Sequence, residues 1–141
     1  MRWRRLGRLC LTVHGEQSPT DEEWTAYLAG IDRHVPLHAQ RVLVVSAGGA
    51  PSSAQRKRMV DALEGAQVPV AIITSSLLMR GAGIAVSWFN PFVEVFAPHQ
   101  LARALDHLGL TEWQRAEVPR ILAQLESELE ISVIVDERRV A

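Results

Sequence analysis

The chain has 141 residues, 48% of them hydrophobic and 22% charged, with a net charge of −1. That length suits one domain and that balance a folded globular chain, which argues against a disordered chain and a strongly basic nucleic-acid binder. A single cysteine excludes an internal disulfide framework and a cysteine-based zinc cluster, and no apolar run approaches the roughly 20 residues that span a bilayer.

Arg2, Arg4 and Arg5, followed by Arg8, make residues 1–7 read as a basic leader. The apolar stretch from Leu9 to Val13 is cut short by His14 and Gly15 and lacks the length of a signal sequence. The expected location is therefore cytoplasmic. Segment 8–14 reads as a strand, and Ser18-Pro19 as a turn. Thr20 and Glu23 have capping-box spacing, and Trp24, Tyr27, Leu28 and Ile31 follow at helical intervals. They predict a helix over about 20–34, ended by Pro36.

Val42–Val45 is a continuous apolar run, as expected of a strand covered on both faces. The loop Ala47–Pro51 precedes a second capping box, Ser52 with Gln55. Met59, Val60 and Leu63 mark the inner side of a helix ending near Gly65. Val70–Ile73 is another buried run. Ser75 or Ser76 caps a third helix with Leu77, Leu78, Ile84, Ala85 and Trp88 as its apolar side. Phe92–Phe96 reads as a strand. Pro98 suits a first helical position, Leu101, Leu105 and Leu108 form a stripe, and Gly109 suits the end. Thr111 and Gln114 give a third capping box. Pro119 is expected to kink or split the helix that Ile121, Leu122, Leu125 and Leu129 continue. Val133–Val135, in the tail 131–141, reads as a short strand or an ordered arm.

Alternating strands and helices predict a single α/β domain: a mostly parallel mixed sheet of four to five strands with helices packed on it, plus a C-terminal amphipathic helix. Val42–Val45 and Val70–Ile73 belong at its centre.

Four blocks carry a family resemblance: Asp21–Trp24, Val44–Arg56, Ala71–Phe89 and Val95–Leu108. With the element order, they make the chain resemble the STAS fold of anti-sigma-factor antagonists, most closely its SpoIIAA-like (STAS/SEC14-like) branch. The resemblance implies a non-catalytic regulatory or adaptor module that docks on a protein partner. It also implies a phosphorylatable serine at the start of the helix after a central strand. Ser52-Ser53 lies near that place, without the preceding Asp and following Gly of the family motif. The SEC14-like label suggests a lipid or small-ligand carrier by analogy.

Consecutive parallel strands deliver their following loops to one sheet edge, where ligands collect. Ser52, Ser53, Thr74, Ser75 and Ser76 would line that rim, with Arg56 and Arg80 a helical turn away. Two helix starts and two cations suit an anion or a phosphoserine. Equally, Ser52 serves as an ordinary helix cap and each arginine pairs with a surface carboxylate. Gly48-Gly49 admits close approach of a ligand or a plain turn. Trp24, Trp88 and Trp113 fall on apolar helix sides that suit a core, whereas Trp88-Phe89 also suits a patch for a partner or a lipid tail. The five histidines show no metal-ligand spacing, so neither metal nor cofactor is implied. Cys10 reads as a buried apolar thiol.

The leading expectation is a regulatory or adaptor module that binds protein, with homodimerisation possible and no nucleic-acid partner expected. Leu122, Leu125 and Leu129 offer a docking surface or pack on the chain's own sheet. A small-ligand or lipid carrier, and an enzyme acting on a phosphorylated or acyl substrate, stand as alternatives. The enzyme would need Ser52 or Ser53 within reach of a histidine.

Overall fold

The computed structural model describes residues 1–81 and 90–135. In chain order they form β1 (Arg2–Leu6), β2 (Leu9–His14), α1 (Asp21–Ala29), a 3-10 turn (Leu37–Ala39), β3 (Arg41–Ser46), α2 (Ser53–Ala62), β4 (Val70–Thr74), β5 (Val93–Phe96), α3 (Leu101–Leu108) and α4 (Glu112–Glu128). A helical segment also runs over 77–81.

The five strands form one sheet in sequential order, β1-β2-β3-β4-β5. β1 is antiparallel to β2, and the remaining pairs are parallel. The domain is thus α/β with a mostly parallel mixed sheet, and β3 and β4 lie inside it as their apolar runs require.

Sequential parallel strands joined by right-handed crossovers carry their connections on one sheet face. The packing follows that rule. On this face Cys10 meets Trp24 and Tyr27 of α1, Val42 packs with Ile31 and Leu63, and Ile72 packs with Met79. The opposite face holds the largest core cluster. There Leu9, Leu11, Val13, Leu43, Val45, Ala71 and Ile73 pack against Leu105 and Leu108 of α3 and Val118, Ile121, Leu122 and Leu125 of α4. Strand alternation sorts the side chains: odd positions of β2 enter the large core and even positions face α1.

The segment read as a basic leader contains β1. Gly7, at φ +62°, opens the two-residue turn to β2, a position that suits glycine. The alternation of β1 places Arg2 and Arg4 beside Glu128 of α4 and Trp3 against Tyr27 and Gly30 of the α1 layer. Long arginine stems can cover apolar surface while their heads stay wet, which is why a basic segment closes this sheet.

Other expectations need correction. Pro98 lies in a turn, and α3 starts at Leu101 after Gln100. Pro119 sits inside α4 without splitting it, because Val118, Ile121, Leu122 and Leu125 around it are anchored in the core. Leu77 and Leu78 are 79% and 85% exposed, and Met79 is the inward residue of 77–81. Trp113 is 62% exposed, since Gln114 and Val118 take the inner side of α4. Leu122 and Leu125 pack on the chain's own sheet, so they offer no docking surface.

Residues 131–135 form an ordered arm. Glu126 accepts hydrogen bonds from the amides of Val133 and Ile134, the latter at 3.3 Å. The Val135 amide donates to Pro98 O at 3.0 Å. Val133 is buried in the large core.

Candidate functional site

β2, β3 and β4 end side by side in His14, Ser46 and Thr74, which are register partners. All three are buried. They mark the carboxyl edge of the parallel strands, the usual ligand side of an open α/β sheet.

The hydroxyls at this edge lace the loops together. Ser46 Oγ donates to Gly49 O at 2.6 Å and accepts from the Gly48 amide at 3.0 Å. Thr74 Oγ1 donates to Ser46 O at 2.9 Å and accepts from the Ser76 amide at 3.1 Å. The Gly49 amide donates to Gly15 O at 2.8 Å, so loop 47–51 lies against loop 15–19. A Cβ at Gly49 would collide with the carbonyl oxygens of Gly15 and Gln17. The close approach foreseen at Gly48-Gly49 is therefore filled at Gly49 by the chain's own backbone.

Ser52 and Gln55 form a reciprocal capping box at the start of α2, at 3.1 and 2.9 Å. Gln55 is buried and donates to Pro19 O and Asp21 Oδ1 at 2.9 and 3.0 Å, binding the starts of α1 and α2 together. Arg56 turns back toward the rim. Its Nη1 donates to Pro51 O and its Nη2 to Ser53 Oγ, both at 3.0 Å. Ser53 is exposed.

Ser75 is exposed, and Ser76 Oγ accepts from the Met79 amide at 3.2 Å, capping segment 77–81. Arg80 is half-buried, and its guanidinium has no partner among the described residues. The predicted rim thus separates into two kinds of residue. Ser52 and Thr74 hold the fold, whereas Ser53, Arg56, Ser75 and Arg80 form its outer layer. Ser53 and Arg56 are in direct contact. Thr74 reaches segment 77–81 through Ser76, and no hydrogen bond among the described residues joins the Arg56 group to Arg80. The candidate patch at Trp88 and Phe89 lies outside the described residues.

His14 is the residue that spacing arguments passed over. It is 2% exposed, and its Nδ1 has no hydrogen-bond partner among the described residues. Burial lowers its pKa to about 4, with the N-terminal ammonium acting the same way and Glu23 opposing it. The imidazole is therefore neutral at pH 7. On the same side of β2, Thr12 Oγ1 and Tyr27 OH share a 2.9 Å hydrogen bond, with Cys10 Sγ 3.7 Å from each. Burial raises the pKa of both Cys10 and Tyr27, which leaves the thiol protonated and weakly nucleophilic. Among the described residues no group of His, Cys, Asp or Glu has the arrangement to hold a metal ion. None of their helices is long and apolar enough to cross a membrane.

A signal for this edge did exist in the sequence. Each apolar run stops at a residue that can form hydrogen bonds, His14, Ser46 or Thr74, and parallel register makes those stops neighbours. In comparisons with family models, characterised proteins and solved structures, the chain matches none.

Proposed function

We propose that the chain is a non-catalytic, STAS-like adaptor domain that binds a protein partner through its α2 rim. The observation that carries this reading is the contact between exposed Ser53 and Arg56 at the start of α2, on the carboxyl edge of the sheet. Arg80 belongs to the segment 77–81 that follows β4, and its guanidinium has no partner among the described residues. The element order fits the suggested family, and a serine against an arginine is a place where added phosphate would gain charge-assisted hydrogen bonds. The capping box beneath is satisfied without Ser53, so modification there would leave α2 intact.

The test is affinity capture from the native extract with the unmodified chain, Ser53→Asp and Arg80→Ala. A protein recovered by the unmodified chain and altered in yield by both variants supports the rim. Identical recovery by all three removes it as the binding surface.

A small-ligand reading has its own observation. A groove of about 1140 Å³ lies between α3, α4 and the arm, with Leu101, Ala102, Pro119 and Ile134 among its lining residues. Native mass spectrometry of the purified chain tests it: a retained mass that disappears on denaturation favours the carrier reading over the adaptor.

A further inference from the structure

β1 closes one side of the sheet, and among the described residues its only strand neighbour is β2. In a two-residue hairpin the flanking pair, here Leu6 and Leu9, exchanges hydrogen bonds, and the pattern alternates along the strand. Trp3 and Arg5 therefore turn their amides and carbonyls away from β2. No hydrogen bond from the described residues reaches those main-chain groups.

The charge along this edge is unbalanced. Arg2 and Arg4 share one carboxylate, Glu128, at 3.4 and 3.9 Å, and their side chains stay 51% and 41% exposed. Arg5 is held by neutral acceptors, Gly30 O and Gln40 Oε1. Arg8, in the hairpin turn, is exposed and has no side-chain partner among the described residues. Of the four guanidinium groups along β1 and its turn, two share one carboxylate and two have none among the described residues, in a chain whose net charge is −1. Glu23 is tied to the N-terminal ammonium at 3.2 Å.

We infer that the outer edge of β1 is a docking strand for an extended acidic segment of a partner protein. The inference rests on the binding-domain reading and names a second surface for it. An added strand would take the free amides and carbonyls of Trp3 and Arg5. Its alternate side chains would fall on the two sheet faces. Carboxylates on the α4 face meet Arg2 and Arg4, and apolar side chains on the α1 face lie beside Trp3. A second copy of β1 is the wrong occupant, because it would bring a second row of arginines against the first.

The experiment is an amide NMR titration of the full chain with a synthetic peptide of alternating glutamate and valine. The expected result is shifts centred on β1 and slowed hydrogen exchange at Trp3 and Arg5. The same peptide with prolines in place of valines keeps the charge, loses the ladder donors and no longer binds. Arg2→Gln with Arg4→Gln weakens binding roughly tenfold, and lysine at both positions restores most of it. Arg8→Gln, at a side chain with no partner among the described residues, weakens it by a smaller factor with the fold unchanged. Equal binding of the proline peptide overturns the inference, because charge alone would then suffice. So does displacement by oligothymidylate without slowed exchange at Trp3 and Arg5, the mark of nucleic acid. Shifts confined to Ser53 and Arg80 overturn it too, while leaving the α2 rim as the binding surface.

Discussion

The indole N–H of Trp24 donates to the main-chain carbonyl of Gln55 at 2.8 Å, fastening α1 to α2 from inside the core. Trp24 also lies 5.1 Å from the Tyr27 ring, centroid to centroid. Trp24→Phe keeps an aromatic ring but loses the donor and part of the volume. The expected loss of stability is about 1–3 kcal/mol, read from urea denaturation. A change within error would show that the bond between the helices contributes nothing net.

Leu43 is fully buried at the centre of the sheet. Leu43→Asp places an unpaired charge there and should cost more than about 3 kcal/mol, a large share of the about 5–15 kcal/mol that holds an ordinary domain folded. Circular dichroism with heating checks this, and an unchanged melting temperature would contradict the position of β3.

His14 links stability to pH. Its folded pKa of about 4 lies below the ordinary 6.5. Between those values the unfolded chain binds a proton that the folded chain refuses. Stability is therefore full above pH 6.5 and falls as the pH drops toward 4, by on the order of 3 kcal/mol in all. Glu23 has a pKa below its ordinary 4.5 because the Thr20 amide hydrogen-bonds its carboxylate, so its own loss begins as the pH falls through that value. The window from 6.5 to 4.5 therefore reports mainly on His14. Urea midpoints measured across it should fall for the unmodified chain and flatten in His14→Leu.

The arm depends on Glu126, whose carboxylate accepts from two successive amides. Glu126→Gln replaces a charged acceptor by a neutral one and should weaken the arm by about 1 kcal/mol. Hydrogen exchange at Val133 and Ile134 should accelerate severalfold while Leu43 and Ile73 keep their protection. Uniform acceleration would mean instead that the arm and core open together.

Much of this architecture was legible in residue patterns. The runs Val42–Val45 and Val70–Ile73 are apolar throughout because both sheet faces are covered, and all three capping boxes form. β1 was hidden because arginines at alternate positions look like a leader until Glu128 and Gln124, more than a hundred residues away, supply their contacts. Trp113 misled for a related reason: helical spacing permits two apolar sides, and only the register of α4 on β1 and β2 selects one. At the rim, spacing found the serines and arginines. It could not divide the hydroxyls bound into loops from the accessible ones, because that depends on Ser46 and Thr74 meeting across two strands.

Sequential strand order has a consequence for synthesis. Each strand leaving the ribosome pairs with the one made just before it, so the ladder grows in the direction of translation without waiting for distant partners. The apolar side of β2 and β3 has no such early cover. Leu9, Leu11, Val13 and Leu43 are made well before α4, which supplies much of their cover. A nascent chain halted before residue 112 holds five paired strands with a greasy flank still partly open. It should therefore recruit holding chaperones or aggregate, and release should coincide with the emergence of α4.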